Sequence, residues 1–285
     1  MINYTAMPIR PQQDIAQSPF HYYEFDDGTV WTEFYRSDNG YLLRFPGLAD
    51  FEVTADGKEV VAHPTEDGDQ VTVEHLYVNQ LVPLALSRQG QPTFHASAVT
   101  VPGGTVAFLG KSGTGKSTLA ASFALGDSEF LTDDALLIEE TKDGCLVKPS
   151  HPSVRLWEDS KDALIDPDAP QAAAVSYSTK ARLLAGEALT FIDTPQPLLA
   201  AFVLGPEDDA EISIRELSGT DRYMAWVENS FLLDITDKDL LSQHFEWTNR
   251  ICATVPTYAL TYPRDYGMLP EVRKAVRKHI KKLLQ

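Results

Sequence analysis

The chain has 285 residues, enough for one large or two small domains, and at 43% apolar and 23% charged it has the make-up of an ordinary globular protein. A formal net charge of −17 argues against nucleic acid as a main partner, and no apolar run reaches the roughly 18 residues a membrane-spanning helix needs. Met1–Pro8 shows no basic stretch followed by an apolar core, and Cys145 and Cys252 form no Cys-x-x-Cys pair, so neither a secretory signal, a disulfide framework nor a zinc site is expected and a reducing cytoplasm is the expected setting.

The charge is uneven. Arg264–Gln285 holds seven Lys/Arg against Asp265 and Glu271, a net +5, so the preceding 263 residues carry −22. Such a tail is expected to be a solvated helix face, with an acidic surface of its own chain, a second subunit of a homo-oligomer or an acidic peptide as the alternatives.

Residues 1–20, with Pro8, Pro11 and Pro19, read as an irregular arm. From His21 to Val73 come short β-rich runs: Val30–Tyr35, Tyr41–Phe45, Phe51–Val53, Glu59–Ala62 and Gln70–Val73. Asp27-Gly28, Asn39-Gly40, Asp56-Gly57 and Asp67-Gly68 separate them, the pattern of antiparallel hairpins. Tyr22, Tyr23, Phe25, Trp31, Phe34 and Tyr35 are expected in the core of this module. His75–Arg88 reads as a helix, kinked at Pro83 and closed by Gly90. The expected division is a β-rich N-terminal module with its linking helix over 1–90, which we expect to recognise an acceptor, and a larger domain over 91–285.

His95 falls on the first strand of that larger domain. Val106–Leu109 reads as a buried strand, and it ends in Gly110-Lys111-Ser112-Gly113-Thr114-Gly115-Lys116-Ser117, the phosphate-cradling P-loop pattern. Thr118–Leu125 reads as the helix that follows. The glycines let the backbone turn so that successive N–H groups and the helix N-terminus converge on a phosphate. Lys116 is placed to reach the outer phosphates and Ser117 to ligate Mg²⁺. Asp133 and Asp134 read as part of the next strand, where a carboxylate would be a Mg²⁺ ligand or a base for an incoming hydroxyl, or else part of a solvated turn. Leu189–Asp193 offers a rival, a strand ending in aspartate.

The strand at Asp134 is expected to run on through Glu139, turn at Lys142–Gly144 and return over Cys145–Lys148. Ser153–Trp157 reads as a strand and Glu158–Leu164 as an acidic helix. Asp166–Gln171 reads as a loop, and Ser176–Arg182 as a basic loop in which Lys180 and Arg182 are candidates for offsetting transition-state charge. Leu198–Leu204 and Ile212–Arg215 read as strands, Asp221–Phe231 and Asp237–Arg250 as helices, and Val255–Tyr262 as a terminal strand. Arg264 follows at a strand end, a place that suits a phosphate or substrate contact. The final helix, 270–285, buries Val272, Val276, Ile280 and Leu283.

His95, the loop Gly110–Ser117 and the pair Asp133-Asp134, in this order over about 45 residues, resemble the C-terminal catalytic domain of the HPr serine kinase/phosphorylase family. That family shares its fold with the ATP-dependent phosphoenolpyruvate carboxykinases. A looser resemblance, from about Leu42 to the C-terminus, is to HPr-kinase-like proteins of biosynthetic gene clusters. Some of those phosphorylate a serine on a ribosomally made peptide, lasso-peptide precursors included. The resemblance implies an α/β P-loop kinase core with a small β-rich N-terminal module, ATP and Mg²⁺ at Gly110–Thr118, and a serine-bearing peptide or small protein as acceptor. It implies Lys116 and Ser117 on phosphate and metal, Asp134 as proton acceptor and His95 as a further active-site residue, with Asp133 and Asp134 the carboxylates available to the metal. The chain lacks the family's Leu-Glu-Ile-Arg-Gly segment, for which Glu158 is a loose substitute, and its Gly-Arg-Asn signature. HPr itself and the phosphorylase activity are therefore not expected. The rival readings are a small-molecule hydroxyl kinase on the same core and a non-catalytic ATP-sensing regulator. The absence of a Leu-Ser-Gly-Gly-Gln segment speaks against a transporter-type ATPase.

Overall fold

The computed structural model describes residues 2–25, 27–150, 152–165, 175, 181–184, 189–205 and 211–285, with the backbone alone at Arg182 and Leu184. The chain divides into two compact units, one of Met1–Gly90 and a larger one that starts at Gln91.

In the first unit β1 (Asn3–Ala6), β2 (His21–Glu24), β3 (Val30–Ser37), β4 (Gly40–Phe45), β5 (Ala49–Thr54) and β6 (Glu59–Pro64) form one sheet in the order β1-β6-β5-β4-β3-β2. β3 to β6 are the antiparallel strands that the alternating runs predict, and β2, which no run predicts, extends the meander beside β3. At the β3–β4 turn Gly40 cannot be replaced by a larger residue: its φ is +147°, and a Cβ there would lie 2.2 Å from Val53 O. Leu43, Phe45, Phe51 and Val60 are buried and bring the sheet's apolar face together. α1 (Gln70–Leu76), a π-helical turn (Tyr77–Leu81) and α2 (Val82–Arg88) follow and bury Val73, Leu76, Leu81 and Leu84.

Three expectations are corrected in this unit. The arm is not irregular throughout, because β1 pairs in parallel with β6 and Gln12 donates to Asp50 Oδ1 at 2.8 Å. Gln70–Val73 is helix rather than strand. Its β-branched valines suggest a strand, but Asp69 caps a helix there, with Oδ1 accepting from Thr72 N–H at 2.9 Å and Oδ2 from Thr72 Oγ1 at 2.7 Å. Tyr22, Tyr23 and Phe25 are about half exposed, since β2 is an edge strand, while Phe34 and Tyr35 are buried as expected. The Asp69→Ala variant is expected to lose about 1 kcal/mol, read by urea unfolding. The hydrogen bonds from Thr72 lower the Asp69 pKa below 3.8. The cap's contribution is therefore present above pH 3.8 and fades as pH falls through the lowered value, so wild type and variant converge in acid.

The second unit holds β7 (Thr93–Phe94), β8 (Ala96–Val101), β9 (Gly104–Leu109), α3 (Lys116–Ala124), β10 (Phe130–Thr132), β11 (Leu136–Thr141), β12 (Gly144–Lys148), β13 (Ser153–Leu156) and α4 (Glu158–Leu164). β14 (Ala181–Leu184), β15 (Gln196–Leu204), β16 (Ser213–Glu216), α5 (Gly219–Val227), α6 (Lys238–Thr254), β17 (Thr257–Thr261), a 3₁₀ turn (Tyr266–Met268) and α7 (Leu269–Leu283) complete it. β15 is the axis of a mixed sheet. Its start pairs antiparallel with β12, its length pairs parallel with β9, and its end pairs parallel with β17.

Both faces of β9 are buried, as an unbroken apolar run requires. Val106 and Phe108 pack with Phe123 of α3, Phe202 of β15 and Val272 and Val276 of α7. Ala107 and Leu109 point the other way, to Ala201, Trp226 of α5 and Ile251 of α6. In α7 Val272, Val276 and Ile280 are buried as expected, but Leu283 is exposed. The basic tail is partly spent on its own chain: Arg277 Nη1 meets Asp127 Oδ2 at 2.7 Å, and Arg273 donates to Ser122 O. Lys274, Lys278, Lys281 and Lys282 remain on the solvent face.

Candidate functional site

Parallel strands end on the same edge of a sheet, and ligands collect at that edge. Here β9, β15 and β17 run in parallel and deliver Gly110, Gly205 and Tyr262–Arg264 to one edge. Gly110 (φ +143°) sits so close to Leu204 O that a Cβ would lie 3.1 Å from it. Lys111–Thr114 forms a turn closed by Thr114 Oγ1 on Lys111 O at 2.8 Å. Gly115, with φ +86°, opens α3 without a side-chain cap. The buried Lys116 folds back over the loop, its Nζ donating to Gly110 O at 2.7 Å and Lys111 O at 3.0 Å. Strand, glycine loop and helix thus follow in the predicted order. The helix begins at Lys116, two residues earlier than expected. Ser112 and Gly113 are exposed, and Thr118 Oγ1 lies 3.0 Å from Ser160 Oγ of α4.

The carboxylate pair is not on a strand. β10 ends at Thr132 and β11 starts at Leu136, so Asp133 and Asp134 occupy the bend between them. The reason is local. Ala135 N–H returns to Asp133 O at 2.8 Å across Asp134, whose φ is +64°, the rarer and strained form of a three-residue turn. Asp134 is the one described non-glycine residue at positive φ. The turn swings the two side chains to different tasks. Asp133 is buried, its Oδ1 accepting from Ser97 Oγ at 2.5 Å and Ser117 Oγ at 2.8 Å, its Oδ2 from Arg155 N–H at 3.0 Å. Asp134 Oδ2 lies 3.5 Å from Arg155 Nη1, in an ion pair whose side chains are each 13% exposed.

Burial, then the adjacent Asp134 charge, raises the Asp133 pKa against the three hydrogen bonds that lower it. Between 3.8 and that raised value the folded chain holds the proton better than the unfolded one, so stability falls as pH rises through this window and stays reduced above it. An asparagine would donate to Ser97 and Ser117 and accept from Arg155 N–H without the charge. In chelator-treated protein Asp133→Asn is expected to abolish this fall, and at pH about 7 its thermal midpoint should equal or exceed that of wild type by calorimetry.

His95 lies in the break between β7 and β8 rather than on the first strand. Its Nδ1 donates to Asp134 O at 3.1 Å, since a carbonyl only accepts, and its backbone N–H donates to Asn229 O at 2.6 Å. Arg264 stands behind Gly115. Its guanidinium lies 4.5 Å above the Tyr262 ring, Nη2 donates to Gly205 O at 2.8 Å, and among the described residues the buried Nε and Nη1 meet no hydrogen-bond partner of good geometry. Nη1 is 3.2 Å from where a Cβ on Gly115 would be. The structure therefore gathers His95, the loop 110–118, Asp133, Asp134 and Arg264 at one edge.

Other expected residues are not gathered. Lys180 lies outside the described residues, as does the loop expected at 166–171 apart from its neighbours. Arg182 belongs to β14, which pairs with β13 opposite Arg155, and so is not in a loop. Leu189–Asp193 is not a strand: only Phe191 bridges to Phe130, and Asp193 is exposed. Glu158 is exposed in the first turn of α4. Among the described residues no three His, Cys, Asp or Glu side chains are grouped to hold a metal alone. Sequence reasoning missed Ser97, Arg155 as a site residue, and Asn229. None carries a local motif, and their contacts bridge from 21 to 119 positions.

No family model matches the chain, and no curated protein matches it. Among solved structures, the Hpr(Ser) kinase/phosphatase from Coxiella burnetii aligns over 68% of this chain and 99% of its own, with a TM-score of 0.37 and 10% sequence identity.

Proposed function

We propose that the chain is an ATP-dependent phosphotransferase whose acceptor is a serine hydroxyl on a peptide or small protein, a lasso-peptide precursor being one such acceptor. One juxtaposition carries the reading: the hydroxyl of Ser117, at the start of a helix behind a glycine loop, meets the buried carboxylate of Asp133 at 2.8 Å, with Asp134 next to it on a strained turn.

The residues present fit a triphosphate and a divalent cation. The donors are the first turn of α3, Lys116, and the orphaned Nε and Nη1 of Arg264, which as buried N–H groups demand an acceptor. Ser117 and Asp133 offer the hard oxygen ligands that Mg²⁺ takes. ATP with Mg²⁺, when bound, supplies the phosphoryl group and offsets its charge. Lys116 exchanges the loop carbonyls for phosphate oxygens. Asp134 accepts the serine proton at its carboxylate. Arg155 holds that carboxylate in place, and His95 holds the carbonyl of the same residue. The chain's role is thus positioning and charge stabilisation, which is most of what phosphoryl transfer requires.

Intact-mass analysis of serine-bearing peptides after incubation with ATP and Mg²⁺ tests the reading. A gain of one phosphoryl group is expected. Transfer to metabolite hydroxyls but to no peptide would make the chain a small-molecule kinase. ATP binding without transfer to either would make it a nucleotide-sensing regulator.

A further inference from the structure

The residue that holds the two sides of this site together is neither in the loop nor in the acidic pair. After α5 the chain runs as residues 229–231 alongside residues 93–95. Phe94 and Ser230 form an antiparallel bridge, flanked by Phe231 N–H on Thr93 O at 3.0 Å and His95 N–H on Asn229 O at 2.6 Å. This places the Asn229 side chain, 8% exposed, against the first residue of the glycine loop. Its Oδ1 accepts from Gly110 N–H at 3.1 Å, and its Nδ2 donates to Ala225 O at 2.8 Å. The amide is therefore oriented by the helix that precedes it, with only the oxygen turned to the loop.

The hydrogen bonds form one line from loop to base. Gly110 N–H is held by the Asn229 side chain, and His95 N–H by the Asn229 carbonyl. The His95 ring in turn donates Nδ1–H to the carbonyl of Asp134. The segment that carries Asn229 is itself pinned: Ser230 Oγ donates to Trp226 O at 2.8 Å and lies 2.7 Å from Nε2 of the buried His244. We propose that Asn229 is the positioning residue that fixes the distance between the phosphate loop and the turn bearing Asp134, acting through Gly110 on one side and His95 on the other. This rests on the phosphotransferase reading above. A site that works by alignment is sensitive to such a tie, because a displacement near 1 Å can cost about 10²-fold in rate.

The test uses the full chain with Asn229→Ala and Asn229→Asp. Alanine removes the acceptor for Gly110 N–H. Aspartate keeps it but, when ionised, puts an anion beside the loop and loses the donor to Ala225 O. In the Ala variant the Gly110 amide is expected to exchange about tenfold faster by NMR, the loss of roughly one hydrogen bond, and kcat is expected to fall on the order of 10²-fold. In the Asp variant Gly110 stays protected and kcat stays within about tenfold of wild type, while the KM for ATP rises through repulsion. An Ala variant with wild-type protection of Gly110 and wild-type kcat overturns the proposal. Should that variant not fold, a Gly110 amide that exchanges in wild type as fast as an unprotected amide overturns it, since the Asn229 side chain would then not hold it. If wild type transfers phosphate to no acceptor, the phosphotransferase reading fails. The Gly110 exchange rates, which need no nucleotide, then judge the tie by themselves.

Discussion

Replacing Asp134 with asparagine is expected to lower phosphoryl transfer by about 10²–10⁴-fold, the range a positioned general base contributes, while ATP affinity measured by calorimetry stays within a few-fold of wild type. Asparagine is the informative substitution for two reasons. It keeps the volume of the carboxylate, and it tolerates the positive φ of +64° that the turn imposes, so the bend between β10 and β11 survives. On the proposed mechanism, what disappears is the proton acceptor, together with the charge facing Arg155 Nη1 at 3.5 Å. Because the missing interaction belongs to the transition state, kcat and kcat/KM for the acceptor should fall together. If the variant transfers phosphate at the wild-type rate, the base is another group, and Asp133 is the next to test.

The Trp226→Ala variant is expected to lose about 3–5 kcal/mol, read as a lower urea midpoint by circular dichroism. Trp226 is fully buried between the sheet and α6, with its ring 4.8 Å from that of Phe94 and its Nε1–H on Thr257 Oγ1 at 3.1 Å. Alanine would leave a cavity that this close-packed face cannot collapse to fill. It should also reach the site. The backbone oxygen of Trp226 accepts from Asn229 N–H at 3.2 Å and Ser230 Oγ at 2.8 Å, so the segment tied to Gly110 and His95 rests on this residue. Trp226→Phe keeps most of the packing and loses one hydrogen bond, for about 1–2 kcal/mol. An Ala variant as stable as wild type would mean that the cluster around Trp226 contributes far less than its burial implies.

Much of this was legible in the sequence because the physics there is local. Val106–Leu109 had to be a buried strand, since four apolar residues in a row suit a strand covered on both faces. Gly110–Ser117 had to be a turn into a helix, since its glycines take backbone conformations that other residues avoid. Asp27-Gly28, Asn39-Gly40 and Asp56-Gly57 marked three hairpins of the first unit for the same reason, whereas Asp67-Gly68 leads into α1 and the β4–β5 turn at residues 46–48 carries no such pair. α7 showed its buried stripe through the spacing of Val272, Val276 and Ile280. Where local signals competed, the reading failed. Valines at 71 and 73 suggest a strand, but Asp69 caps a helix there and satisfies backbone donors that a strand would not. The apolar run after Asp134 concealed a three-residue turn that only the φ of that residue reveals.

Tertiary structure alone decided which pieces meet. β9, β15 and β17 lie far apart in the chain, and their parallel pairing is what brings Gly110, Gly205 and Arg264 to one edge. Ser97 and Ser117 converge on Asp133 from β8 and α3, and Asn229 reaches Gly110 across 119 positions. Each of these contacts joins residues with no local periodicity in common, and a single serine, arginine or asparagine carries no signal until the sheet has formed. The sequence by itself determined which groups were available for chemistry at the glycine loop. The order of the strands, fixed by burying both faces of β9 and β15, determined which of them stand together.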